Sequence, residues 1–384
     1  MENQELLELI EKGETSFVQF KSDIKNVTSI AQEMVAFSNS EGGKLLIGID
    51  DKTGKLIGLS FEDIQRINSL LTTAANEHVK SPITIQTQTF EVEGKKMIVA
   101  TVPKGLDKPY MDKNGFIFIK NGSDKRKVTS KNELRRLLQS SQSLYAEEMI
   151  LQNSSYEDID IEKFEEFYTK KYNLVFDKKQ LGQYLENMAL GKEGKINLAG
   201  ALLFSKFPYK NNLPFFISAV WFKGTNKWET EYWSSDNFRG TLNQQYEKGY
   251  AFIVNSLTKL QAGQSFNSTG ISEIPEIVIQ ELLTNALVHR DYFINDTIKI
   301  FIFQDRVEII SPGTLPNNLN EEKIKKGIRK KRNPIIDSFA MDLLHYRGIG
   351  SGIVRCLQLY PDIEFINDKE GEEFKVIIQK PKLD

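Results

Sequence analysis

Among the segments of this 384-residue chain, Val278–Tyr292 most constrains the fold. Read at helical period, it sets Glu281 and Asn285 one turn apart on one face. Val278, Leu282, Leu283, Ala286 and Leu287 supply an apolar stripe beside them. A carboxylate next to a carboxamide suits nucleotide chemistry: the first can take a proton from an attacking water, the second can ligate a hard cation such as Mg²⁺. Most Glu/Asn pairs on helices are solvated surface, so the weight falls on two later segments. Thr297–Gly313 flanks Gln304-Asp305 with β-prone apolar residues, as a hairpin does. It ends in Ser311-Pro312-Gly313, where glycine permits close backbone approach to a ligand. Arg347–Arg355 then places glycine at 348, 350 and 352, a loop whose N–H groups can surround phosphate at a helix start. Each glycine segment alone is ambiguous; the three in this order are much more specific.

That order resembles the nucleotide-binding fold of the gyrase, heat-shock chaperone, histidine kinase and MutL proteins, the GHKL superfamily, with its Bergerat α/β sandwich. The wording Asn285-Ala-Leu-Val-His-Arg-Asp-Tyr292, followed by Asp305-Arg-Val-Glu-Ile-Ile-Ser-Pro-Gly313, looks like the divergent branch called RecG-like C-terminal. The likeness covers roughly residues 195–384. It implies an ATPase using ATP and Mg²⁺, with Glu281 as general base and Asn285 as the Mg²⁺ ligand. It further implies that Ser311 and Gly313 stand where adenine is recognised, and that Gly348, Gly350, Ser351 and Gly352 form the phosphate loop. Ser311 replaces the carboxylate usual in the superfamily, which predicts a weaker grip on adenine, with water or Asp305 assisting, and slow hydrolysis. Six cations, Lys325, Lys326, Arg329, Lys330, Lys331 and Arg332, lie between the two glycine segments and suit either phosphate or nucleic acid.

Helicase motor chemistry is excluded, because no Gly-x-x-x-x-Gly-Lys-Ser/Thr run occurs. The histidines His78, His289 and His345 lie in no long dimerisation hairpin, which argues against a histidine kinase. His289 reads as a packing or capping residue beside the nucleotide helix. A net charge of −2 gives no global basic bias, so nucleic-acid contact must come from local patches. The single cysteine, Cys356, excludes an intramolecular disulfide framework and sits in an apolar run, as a buried inert thiol would. No apolar run approaches a membrane span, and the acidic amphipathic start has no signal-peptide character, so a cytoplasmic location is expected.

Residues 1–140 read as an α+β module with a mixed sheet. A short helix ends at Gly13 and a strand covers Glu14–Asp23. A helix over Ile30–Ser38 turns sharply at Asn39-Ser40-Glu41-Gly42-Gly43. A strand follows over Lys44–Ile49, a helix over 61–78, strands around Ile83–Val92 and Lys96–Val102, and a hairpin at Gly115–Asn121. Glu14…Phe20-Lys21, Ala36-Phe-Ser-Asn-Ser-Glu-Gly-Gly43, Ile47-Gly-Ile-Asp-Asp51, Lys108-Pro-Tyr110 and Ile119-Lys-Asn-Gly-Ser123 resemble the Schlafen/AlbA-type DNA-binding domain, with Lys120 where arginine is usual. Independently of that likeness, Lys120, Lys125, Arg126, Lys127, Lys131, Arg135 and Arg136 form a positive region with little acid nearby. It can neutralise phosphates of DNA or RNA, although most charge runs are solvated helix faces. The likeness also implies a metal-dependent RNase as the alternative, built on Glu14 and Asp50 or Asp51. Gln19 falls where a carboxylate would be needed.

Residues 141–195 read as a charged helical connector, and 196–384 as the ATPase domain with a β-rich beginning. Asn197–Phe204 and Phe215–Phe222 read as buried strands, and 241–260 as a helix. The aromatic, acidic stretch Trp228–Phe238 reads as core and interface. Together with Trp221, its Trp228, Tyr232 and Trp233 make a symmetric homodimer the expected assembly. Three functional classes therefore stand: an ATP-dependent nucleic-acid-binding regulator, of transcription or of defence against foreign DNA as the families imply; a nuclease; and a nucleotide-switched assembly protein.

Overall fold

A computed structural model describes residues 3–141, 144–208, 210, 213–260, 271–316, 319–344 and 351–381. The chain divides into two compact units, Met1–Leu144 and Tyr145–Asp384, each mixing helix and sheet as the α+β reading expects.

In the first unit, β1 (Val18–Lys21), β2 (Gly43–Ile47), β3 (Gln86–Val92) and β4 (Lys95–Val102) form a sheet of order β1-β2-β4-β3. The β1–β2 pair is parallel and the others antiparallel. Side chains alternate across a strand, so a stretch buried on both faces must be apolar, and Leu45-Leu46-Ile47 of β2 meet this condition. Leu45 and Ile47 pack with α2 (Val27–Asn39) and α3 (Phe61–Glu77), while Leu46 joins Leu6 of α1 (Asn3–Lys12), Val18, Phe20 and Met97. The helix α2 starts at Asn26, whose side chain accepts the Ser29 N–H at 3.0 Å. It ends in the glycine turn. Gly42 lies at φ +79°, and a Cβ there would sit 2.7 Å from the Lys104 nitrogen, so only glycine fits. The hairpin expected at Gly115–Asn121 lies further on, as β5 (Phe118–Asn121) paired with β6 (Asp124–Lys127), before α4 (Lys131–Ser140).

The second unit opens with α5 (Ile161–Tyr172) and α6 (Leu181–Asn187), whose Phe164, Phe167, Tyr168, Leu181 and Leu185 belong to the same core cluster as the sheet that follows. That sheet comprises β7 (Ile217–Phe222), β8 (Tyr232–Phe238), β9 (Ile298–Ile302), β10 (Arg306–Pro312), β11 (Ile363–Asp368) and β12 (Glu373–Gln379), in the order β8-β7-β9-β10-β12-β11. Only β7–β9 is parallel. The hairpin read across Gln304-Asp305 is β9–β10. Its remaining helices are α7 (Leu198–Phe204), α8 (Leu242–Ser256), α9 (Glu276–His289), α10 (Glu321–Lys325), α11 (Pro334–Leu343) and α12 (Gly352–Leu359).

Three sequence expectations are corrected here. Asn197–Phe204 is a helix, not a strand: the Asn197 side chain accepts the Gly200 N–H at 2.9 Å and caps α7, whose residues are all buried. A seven-residue apolar run carries no period that separates buried strand from buried helix, and the cap decides. The helix α9 is buried well beyond the one apolar stripe read from its sequence. Val278, Ile279, Glu281, Leu282, Leu283, Thr284, Ala286, Leu287 and Val288 are all buried, which places Glu281 inside the protein. The aromatic stretch reaches the core only at Phe238, since Trp228, Tyr232 and Trp233 are exposed on and before the edge strand β8, with Trp233 against the half-buried Trp221.

Candidate functional site

Strand pairing builds the floor of a cleft in the second unit. In the β10–β12–β11 register, Ile309 faces Val376 and Val376 faces Phe365, while Ser311 faces Phe374 in the next row. Residues two apart share a sheet face, so these rows line one surface. One wall is α9, contributing Glu281, Leu282, Asn285, Ala286 and His289. Opposite stand Gly313–Pro316, residues around Ile328–Arg332, and the start of α12 with Ser351, Gly352 and Arg355. Six of the residues singled out in the sequence, Glu281, Asn285, Ser311, Gly313, Ser351 and Gly352, thus line one cleft, although the chain spreads them over about 70 residues. Gly348 and Gly350, with His345, lie outside the described residues.

Glu281 is 4% exposed. Arg355 Nη2 donates to its Oε2 at 3.1 Å, a pairing that offsets the cost of burying the carboxylate. Gly352 lies against the same carboxylate: a Cβ added at 352 would fall 1.6 Å from Oε1. Asn285, one turn along α9, is half-buried on the cleft wall. Ser311 is 7% exposed; its hydroxyl donates at 3.4 Å to the Phe374 carbonyl, and its lone pairs remain able to accept. Gly313 stands at φ +100°, its N–H donating to Glu372 O at 2.6 Å. A Cβ there would meet Asp291 Cβ at 2.5 Å. Asp305, suggested as an aid to adenine binding, pairs instead with Arg306 and does not line the cleft.

The Asn-Ala-Leu-Val-His-Arg-Asp-Tyr motif is largely scaffold. Arg290, 2% exposed, donates to the carbonyls of Ile294 and Asp296 and lies over the rings of Phe215 and Tyr292. Tyr292 donates to Leu287 O, and Asn333 donates to the carbonyls of Val288 and Arg290 at the end of α9. Burial holds the His289 imidazole below its ordinary range; Asp337 opposes that shift, and Arg329, Arg332 and Lys331 reinforce it. The Cys356 thiol is pushed up to about 12 by burial, with Glu281 adding to the shift and Arg355 opposing it, so it is inert as a nucleophile.

The cations between the glycine segments separate into committed and open groups. Arg329 and Lys331 pair with the buried Asp337 at 3.3 and 2.8 Å, and Arg332 donates to the His289 and Thr314 carbonyls. Lys330 lines the cleft from an exposed position. Glu147 anchors the same region: its two oxygens accept the Ile335 and Ile336 N–H groups at 2.7 Å each, at the start of α11. Burial, more than any other cause, raises that carboxyl to about 7. Arg355, Asp337, Asn333 and Glu147 were not among the site residues read from the sequence. Arg355 was findable, lying three residues beyond Gly352 on one helix face; the rest needed the tertiary fold.

In the first unit the positive region is less open than its sequence. Lys120 is buried, its Nζ donating to Glu33 Oε1 at 2.8 Å, to Gln19 Oε1 at 2.9 Å and to the Ser123 carbonyl. The Lys120 ammonium is thus turned to a buried carboxylate and not to the surface where the sequence reading put it. Lys125 pairs with Glu33 at 3.4 Å, and Arg126 pairs with Glu133. The expectation of little nearby acid fails here, because the fold brings up Glu33 from α2 and Glu133 from α4. Lys127 lies over the Phe116 ring; Arg136 and Lys131 are exposed, and Arg135 is half-buried. Asn39 explains much of the motif set. Its amide donates to the Tyr110 and Phe118 carbonyls, its oxygen accepts the Tyr110 N–H, and Ser40 Oγ accepts the Lys120 N–H. As for nuclease chemistry, Glu14 Oε1 accepts from the Gln19 amide and the Phe20 N–H, Asp50 caps its own turn through Lys52 and Thr53, and Asp51 lies 3.9 Å from Lys21. Among the described residues no three acidic, histidine or cysteine side chains gather to hold a metal ion.

Residues 14–129 match the family described as Schlafen, AlbA_2. Residues 295–378 match the family described as "Putative ATP-dependent DNA helicase recG C-terminal". The two matches follow one another along the chain in the order its motifs imply. Among solved structures, it is similar to the DIP2311 protein of Corynebacterium diphtheriae at 19% identity and a TM-score of 0.48, over 96% of this chain and 76% of that one. It is also similar to the N-terminal domain of a "Putative ATP-dependent DNA Helicase RecG-related Protein" of Nitrosomonas europaea at 24% identity and a TM-score of 0.24, over 33% of this chain and 92% of that one. At these scores neither likeness bears on fold or function. No curated protein matches. None of the described helices is long and apolar enough to cross a membrane.

Proposed function

We propose that the chain is an ATP-binding, slowly hydrolysing regulator of the GHKL type that binds nucleic acid through its first unit. The observation that carries this reading is the convergence of Glu281, Asn285, Ser311, Gly313, Ser351 and Gly352 on one cleft. The donors fit a magnesium nucleotide. Mg²⁺ retains water and takes much of its coordination from substrate phosphates, so one carboxamide oxygen, Asn285, suffices from the protein; the bound ion neutralises phosphate charge. Ser311 accepts from the adenine amino group over the apolar floor of Ile309, Phe374 and Val376, and Gly313 lets the base approach the backbone. Glu281 accepts a proton from water. Lys330 stands at the cleft mouth to meet phosphate.

Isothermal titration of the full chain with ATP and a non-hydrolysable analogue, each with Mg²⁺, should release heat and raise the unfolding temperature. No heat and no stabilisation with either would overturn the nucleotide reading.

Nucleic-acid binding rests on Lys125, Arg126, Lys127, Lys131, Arg135 and Arg136, with Lys125 leaving Glu33 and Arg126 leaving Glu133 on binding. A gel shift of labelled DNA or RNA is expected at low salt and should weaken steeply as salt rises, because phosphate contacts release counterions. Charge reversal at Lys131 and Arg136 should abolish it. The second reading, a nucleotide-switched assembly, is favoured by the exposed edge strand β8 with Trp228, Tyr232 and Trp233 beside it. No gel shift at low salt, together with a dimer mass by light scattering only when ATP is present, would replace the regulator with that reading.

A further inference from the structure

We propose, resting on the nucleotide reading above, that Arg355 distinguishes a nucleoside triphosphate from a diphosphate by exchanging its ion pair with Glu281 for one with the terminal phosphate. Arg355 lies one turn into α12, three residues past Gly352. Its Nη2 is 3.1 Å from Glu281 Oε2, and its side chain is 29% exposed where that of Glu281 is 5% exposed. The carboxylate is therefore the inner partner and the guanidinium the one that reaches the cleft. A guanidinium carries five donors in a planar fork. Among the described residues the buried Nε of Arg355 meets no acceptor, so the fork is only partly used. An anion with several oxygens would satisfy Nε and Nη together, in the bidentate manner that arginine favours.

The other guanidiniums lining the cleft are differently placed, since Arg329 is held by Asp337 and Arg332 by two backbone carbonyls. Glu281, by contrast, is an anion competing for the same ground as phosphate. Its Oε1 rests on the backbone at Gly352, where the start of a helix favours negative charge, and its Oε2 holds Arg355. A diphosphate is one phosphate short and leaves this pair in place. A triphosphate brings a second anion to it, draws Arg355 away, and frees a Glu281 oxygen to accept a proton. In hydrolysis the water oxygen bonds the terminal phosphorus and its proton passes to Glu281. The bond from phosphorus to the bridging oxygen breaks, its electron pair staying on the diphosphate.

The test is titration of full-length wild type, Arg355→Gln, Arg355→Lys and Glu281→Gln with Mg²⁺ and either ADP or the non-hydrolysable triphosphate analogue, with thermal unfolding of each protein alongside. Wild type should prefer the triphosphate. Arg355→Gln should weaken triphosphate binding by about tenfold or more, a lost charge-assisted bidentate contact, and change ADP binding by less than about twofold. Arg355→Lys should recover part of the loss, and Glu281→Gln should tighten the triphosphate alone by removing its competitor. Equal binding of the two nucleotides by wild type, equal losses for both in Arg355→Gln, or an unchanged preference in Arg355→Gln and Glu281→Gln would overturn the assignment. Wild type that binds neither nucleotide would remove the nucleotide reading itself, a different and distinguishable failure.

Discussion

Gly313→Ala is expected to destabilise the second unit by about 2–5 kcal/mol, from backbone strain and overpacking combined, and to remove nucleotide binding. Gly313 holds φ +100°, where a side chain is strained whatever space surrounds it. Space is lacking too. The new methyl would lie 2.5 Å from Asp291 Cβ and 2.8 Å from Arg332 Nη1. Neither neighbour yields easily. The Asp291 N–H donates to Pro312 O at 2.8 Å, fixing it to the residue beside the glycine. Arg332 is held by the carbonyls of His289 and Thr314. Relief therefore requires moving the end of β10, which carries Ser311, away from α9, which carries Asn285. Urea unfolding monitored by tryptophan fluorescence gives the stability, and titration with the triphosphate analogue gives the binding. A loss under about 0.5 kcal/mol with binding intact would show that this turn is not the rigid corner argued here.

How much of this was legible in the sequence depends on which interaction specified it. The β9–β10 hairpin and α9 were readable because a local period and a turn encode them, and the cleft was readable because three segments recur in a fixed order. Burial of Glu281 was not, because α9 is apolar on nearly every side and its period does not say which polar residue points inward. Asn197–Phe204 was misread because all of its residues are buried, which erases the amphipathic signal. The charge of Lys120 misled for a related reason: its partner Glu33 lies 87 residues away in sequence, and only the packing of β5 against α2 brings them together. Glu33 itself left a trace, a lone carboxylate in the otherwise uncharged α2 helix. Exposure of the aromatic stretch was hidden by composition, since Trp and Tyr mark cores and interfaces alike.

Glu281→Gln should lower the turnover of ATP by about 10²–10⁴-fold, the range for loss of a general base, while ATP remains bound. The change is nearly isosteric, so the close packing against Gly352 and the hydrogen bond from Arg355 have an acceptor in either case. What disappears is the capacity to take a proton. The carboxylate is the one acidic side chain lining the cleft among the described residues, and no neighbour there can substitute. His289 also lines the cleft, but its imidazole is held low by burial and nearby cations and lies two turns along α9 from Glu281. A base lost in this way lowers kcat and leaves binding intact, whereas a merely structural carboxylate would lose binding and stability together. Single-turnover hydrolysis alongside titration separates the two. Unchanged turnover in Glu281→Gln would mean that water is activated elsewhere, and that the Glu281–Arg355 pair holds α9 to α12 without taking part in the chemistry.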